Sequence, residues 1–223
     1  MMRVNDAETR SEALPRVRVV RTTRESRVVV GLAVRGATPD VKFALRTPHP
    51  FFSHMLEQVA WRSGLGIEVD VELTHFPLRH LVTEDVGTAF GRAAARLHDR
   101  LAERGVRGFA YAYAALDEAL ARAVLAFEGR AYLHLDVDER FPEETEGVSS
   151  EDLVAFFEGF VQGAGATLHL DLLRVRPRHG HHLWEALFRA FGMALGDALS
   201  PSPERRGLSA GVAGKAEYDV ADE

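Results

Sequence analysis

Residues 80–91 read HLVTEDVGTAFG and residues 181–192 read HHLWEALFRAFG. The two stretches stand at a constant offset of 101, which pairs His80 with His181, Glu84 with Glu185, and Ala89-Phe90-Gly91 with Ala190-Phe191-Gly192. Each copy places an imidazole four residues ahead of a carboxylate at the start of an apolar-periodic run. Positions i and i+4 of a helix share one face, so the two groups can converge on a single cation. One such pair is ordinary on a solvated helix. Two in register point to a duplicated metal-binding unit.

Further pairs extend the repeat. TRESRVVVGLAVRG (23–36) and LDEALARAVLAFEG (116–129) match at Glu25/Glu118, Leu32/Leu125, Ala33/Ala126 and Gly36/Gly129, all 93 apart. Phe51-Phe52 recurs as Phe156-Phe157 at an offset of 105. The matches fall in chain order, as a duplication with small loop insertions requires. The expected organisation is a first half over 16–104 and a second over 105–200. The polar ends, 1–15 and 201–223, are expected to be flexible tails.

Composition narrows the function classes. The chain has 223 residues, 46% hydrophobic and 27% charged, as an ordinary soluble globular protein does. Its net charge of −6 gives no electrostatic case for nucleic acid. There is no cysteine, so disulfides and thiolate chemistry are excluded and a metal must rely on imidazole and carboxylate. No apolar run reaches the roughly 18 residues of a membrane span. The polar start lacks a signal-peptide core, and the expected location is the cytoplasm.

Strands and helices alternate in both halves. The pattern predicts strands at 17–20, 27–35 and 41–45, with the turn Gly36-Ala-Thr-Pro-Asp before the last. A helix over 51–61 carries Phe52, Met55, Leu56 and Val59 on one stripe, and 67–73 alternates as a half-buried strand with an acidic face. A long helix follows over 81–103, ended by Gly105. The second half repeats this with strands at 109–114, 119–127 and 131–137, a helix at 150–163, a strand at 166–175 and a helix at 182–199. Ser149 offers an N-terminal cap for the helix at 150.

The strings FFSHMLEQ (51–58), TEDVG (83–87), LDEAL (116–120), GRAYL (129–133), TLHL (167–170) and HHLWEALFRAF (181–191) resemble the imidazoleglycerol-phosphate dehydratase family, from about Arg21 to Leu199. The resemblance implies an α+β fold made by internal duplication of a half-unit, each a four-stranded sheet backed by two helices, of the ribosomal S5 domain 2-like kind. It implies a metal-dependent lyase that removes water from imidazole-glycerol phosphate to give imidazole-acetol phosphate, in histidine biosynthesis. It further implies two divalent metal sites, manganese in most members, between the subunits of a large closed homo-oligomer.

Carried over motif by motif, the resemblance makes His54, His80, Glu84, His181, His182 and Glu185 metal ligands and Glu25, in RTTRES, the acid/base group. Arg107, Arg130, Ser209 and Lys215 are the candidates for holding phosphate. The chemistry agrees with the ligand types. Proton loss from a carbon with no adjacent carbonyl needs an electron sink, and a substrate imidazole held by cations is one. The imidazole at i+1, turned by a hundred degrees from i, can reach a second cation.

The chain also departs from the family. The first motif has Leu81 where a second histidine is expected, Ala155 stands where another is expected before Phe156, and an expected phosphate-gripping arginine falls on Gly108. His75, His98 or His179 could stand in for a lost imidazole. Blander readings exist too. His169 could be a satisfied buried histidine, His54 a core residue, Arg130 and Glu25 members of solvated pairs, and Asp85 a partner of the helix dipole. The alternative to an active dehydratase is a divergent paralogue that binds metal and a phosphorylated or imidazole-like ligand with lost or changed activity. A purely structural, shell-forming relative is the third reading.

Overall fold

The computed structural model describes residues 14–34, 36–74, 78–175 and 179–214. In the first half, β1 (Arg16–Thr22) and β2 (Ser26–Ala33) form a hairpin. A short strand β3 (Leu45–Arg46), helix α1 (Pro50–Ser63), strand β4 (Gly66–Leu73) and helix α2 (Arg79–Ala102) follow. The second half runs β5 (Phe109–Leu116), β6 (Ala119–Ala126), β7 (Tyr132–His134), a small hairpin of β8 (Glu144–Thr145) and β9 (Val148–Ser149), then α3 (Ser150–Ala164), β10 (Thr167–Arg174) and α4 (Gly180–Ala198).

The two sheets share one topology. Their strand orders are β1-β2-β4-β3 and β5-β6-β10-β7, each with two antiparallel pairings and a final parallel one. Two expected features differ. Residues 41–45, read as a strand from their apolar alternation, are mostly a 3-10 turn over Val41–Ala44, because Pro39-Asp40 tightens the chain and Val41 N–H bonds Thr38. Only Leu45–Arg46 reach the sheet. The C-terminal segment is also less free than its composition suggests. Pro201 bridges Val106, Ser202 is buried with its N–H on Gly105, and Arg205 holds the carbonyls of Ser209 and Ala210 at 2.9 and 3.3 Å.

Helix signals behave as their chemistry requires. Pro50 occupies the first turn of α1, where a missing N–H costs nothing, and Gly64 ends it in the left-handed conformation. Ser149 and Asp152 form a reciprocal capping box on α3. The helices then pair across the halves, α1 with α4 and α2 with α3, so the halves share one core. Phe156 lies at its centre, with rings of Phe52, Phe90, Phe188 and Phe191 between 5.4 and 6.2 Å away.

The α2/α3 contact is closer than side chains allow. A Cβ on Gly91 would lie 2.1 Å from the Phe160 carbonyl oxygen, and one on Gly163 would lie 2.2 Å from that of Thr88. Both neighbours are backbone and cannot swing aside. Gly91→Ala is therefore expected to destabilise the protein by roughly 3 kcal/mol, the upper range for overpacking. Urea unfolding checks this, and an unchanged midpoint would show that the helices separate freely.

Candidate metal centre

The second half gathers a site around the start of α4. His181 and Glu185 lie one turn apart, and α1, packed alongside, brings His54 to the same point. His181 Nε2 is 3.0 Å and His54 Nε2 3.5 Å from the same Glu185 oxygen, Oε2. The opposite ring nitrogens also face carboxylates. Nδ1 of His54 is 3.3 Å from Glu57, and Nδ1 of His181 contacts Glu146. Glu185 is buried, and Arg189 holds its other oxygen while reaching Gln58 at 3.0 Å.

This donor set calls for a positive charge. Each imidazole stands between two carboxylates, and one ligand atom from each of His54, His181 and Glu185 lies within 4.8 Å of the others. The residues fit a divalent cation with imidazole and carboxylate ligands.

A second cluster lies beside the first. His182, the i+1 position, points Nδ1 at Glu118 Oε2 (3.1 Å), and His179 Nδ1 is 2.7 Å from Glu118 Oε1. Glu118 is presented by the β5–β6 turn, where Asp117 takes the left-handed backbone region at φ 46°. Its own backbone N–H and then His182 hold the Glu118 carboxyl below the usual carboxylate range, so it stays charged. Pro142, Thr145, Glu146 and residues 179–182 line a hollow of 340 Å³ at this point.

The first half presents a poorer counterpart. His80 and Glu84 keep the i,i+4 geometry at 3.5 Å, but their side chains are 64% and 52% exposed. The repeat pairs Glu25, His179 and His182 with Glu118, Leu78 and Leu81 in turn, so two imidazoles of the second cluster have leucines as their first-half counterparts. Ala155 is buried in the core. Glu25 is exposed on the β1–β2 turn. Asp85, read as a helix-dipole partner, is instead buried, 2.7 Å from Arg21 and hydrogen-bonded by Ser26 Oγ, which ties α2 to that turn.

The phosphate candidates lie elsewhere. Arg130 with Glu128, Gly129 and residues 211–214 lines a hollow of 660 Å³ at the far end of β6. Arg107 is exposed at the same end, since Phe127 N–H bonds Gly108 O beside it. Ser209 is exposed with its hydroxyl turned to Gly211 O, and Lys215 lies outside the described residues. Gly108, where an arginine was expected, has φ 76° and sits against Ala210 and His98.

Of the possible substitutes, His179 joins the site, His98 stacks on Phe127 instead, and His75 is outside the described residues. His169 is half-exposed between Tyr132 and His134, not buried. Glu118 and Glu146 are residues of the candidate site that the sequence reading did not assign, and His179 figures there only as one of three possible substitutes. The offset of 93 that pairs Glu118 with Glu25 was the signal for the first.

Fold and geometry together define a class, a duplicated α+β protein that gathers imidazoles and carboxylates at the start of a long helix. The profile of the imidazoleglycerol-phosphate dehydratase family matches residues 47–195. The imidazoleglycerol-phosphate dehydratase of Cellvibrio japonicus is 40% identical over 195 residues, covering 85% of this chain and 92% of the relative. That of Azoarcus sp. is 42% identical over 180 residues, covering 79% and 87%. The crystal structure of the Staphylococcus aureus enzyme superposes with a TM-score of 0.70 at 28% identity, covering 84% of this chain and all of that one. The Pyrococcus furiosus structure gives 0.70 at 27% identity, covering 87% and 98%. The chain belongs to the imidazoleglycerol-phosphate dehydratase family. No described helix is long and apolar enough to cross a membrane.

Proposed function

We propose that this protein removes water from imidazole-glycerol phosphate to give imidazole-acetol phosphate, in the cytoplasm, as a divalent-metal enzyme of histidine biosynthesis. The observation that carries the reading is the convergence of His54, His181 and Glu185 on one point, beside the cluster of His182, His179 and Glu118. The first trio would hold one cation and the second another, with manganese the metal the family resemblance favours. When bound, the cations supply the positive charge that stabilises electron density pushed into the substrate ring.

The chain's own groups divide the remaining work. Arg189 fixes Glu185, leaving its second oxygen to the two imidazoles. Glu25 is the proton-moving carboxylate, free of ion pairing on an exposed turn among the described residues. Arg130, with Arg107 and Ser209 at the same sheet end, would bind phosphate.

Distance then argues for a composite site. Glu118 precedes β6 and Arg130 follows it, so about 24 Å of strand separates them at the usual rise. A substrate with three carbons between ring and phosphate cannot span that within one chain. The phosphate end must come from another copy, which makes self-association part of the active site. An outward sheet face with Phe109, Tyr111, Tyr113 and Tyr132 exposed supports such association.

Leu78, Leu81 and Ala155 favour one competing account, a paralogue with the fold and cation but altered activity. Chelator treatment followed by manganese titration tests the metal reading. Activity is expected to vanish on chelation and return with manganese. Turnover by fully metal-free protein would rule the reading out.

A further inference from the structure

The repeat offset rises from 93 at β2 and β6 to 101 at the left-handed helix ends Gly64 and Gly165, so the second half carries eight extra residues between them (101 − 93 = 8) and the Phe51/Phe156 match at 105 is out of structural register. The β8–β9 hairpin lies in that insertion. It packs against the start of α4 so closely that only glycine fits at position 180. A Cβ on Gly180 would lie 2.1 Å from Thr145 Oγ1 and 2.6 Å from Pro142 Cγ.

The hairpin is anchored on its other sides as well. Ser150 Oγ donates to Pro142 O at 2.6 Å, and Arg79 pairs with Glu144 at 2.8 Å. At its tip Glu146 and Gly147 are both left-handed, with φ of 49° and 83°. Such a pair suits a two-residue hairpin turn, but glutamate is an uncommon choice for the first position. The result is that the Glu146 carboxylate stands 2.5 Å from His181 Nδ1.

We propose that Glu146 is a positioning residue for His181. It accepts the Nδ1 proton, fixes the ring, and leaves the Nε2 lone pair aimed at the point shared with His54 and Glu185. The inference rests on the cation reading of that trio. An imidazole ligand with a carboxylate on its far nitrogen is pre-oriented and more basic, and loss of that partner lowers metal affinity by roughly 10–100-fold. The Glu146 side chain is 58% exposed, so solvent screens its charge and orientation carries the effect. The loss is therefore expected at the lower end, about tenfold.

Manganese affinity is to be measured calorimetrically on full-length protein for wild type, Glu146→Gln, Glu146→Ala and His181→Ala. Nitrogen NMR of the metal-free forms reports which His181 nitrogen carries the proton. Expected are about tenfold weaker binding in Glu146→Ala, a smaller loss in Glu146→Gln, whose amide oxygen still accepts from Nδ1, and a proton shared between both nitrogens only in Glu146→Ala. If His181→Ala weakens binding while Glu146→Ala matches wild type in affinity and tautomer, the positioning role is overturned and the cation site stands. If His181→Ala binds as wild type does, the cation reading itself falls, and this inference with it.

Discussion

His181→Ala is expected to lower kcat/KM by at least about 10³-fold and to release the bound cation, since metal stabilisation of developing charge contributes several kcal/mol. The change removes one of three converging ligands and leaves Glu185 buried against Arg189 with one imidazole opposite. The fold should survive, because His181 sits at the partly exposed start of α4 and the core below it is built by Trp184, Leu187, Phe188 and Phe191. The same substitution at His80 should cost less. His80 is largely exposed, and the carboxylates near it among the described residues are Glu84 and, at 3.8 Å, Asp152. Steady-state kinetics with metal analysis on both variants checks the asymmetry. Equal losses would mean that the two halves contribute alike despite Leu78 and Leu81.

The second large effect concerns where one active site gets its parts. Arg130→Ala and His181→Ala, each nearly inactive alone, are expected to complement when their subunits are mixed in one assembly. With random mixing in equal amounts, a site drawing its phosphate group from one copy and its imidazoles from another is intact about a quarter of the time. Recovery to roughly a quarter of wild-type activity is thus expected after co-refolding. No recovery would mean that both groups act from one chain, against the separation that β6 imposes.

Much of this was legible in residues 80–91 and 181–192, because a helix converts a spacing of four into a shared face. The same periodicity located the long helices and their sheet partners, and the offsets announced two sheets of one topology. Legibility ended where groups meet across the chain. His54 is picked out as a ligand only by the family resemblance, since its apolar helix stripe also suits a core residue, until α1 is seen against α4. Glu146 lies 35 residues from His181 and reaches it only through a hairpin that the repeat does not contain. His179 just precedes the helix, where no periodicity applies. The apolar alternation at 41–45 mimicked a strand because a 3-10 turn also buries Val41 and Leu45 on one side.

The retained trio around Glu185 and the impoverished half-site around Glu84 pull the functional reading in opposite directions, and the balance is decided by turnover. The direct measurement is product formation from imidazole-glycerol phosphate by manganese-loaded full-length protein, with bound metal quantified in the same sample. The account predicts imidazole-acetol phosphate from wild type and none from His181→Ala. Wild-type protein that holds its metal and yet yields no product would contradict it, and would make the chain a metal-binding relative that has left the dehydratase reaction.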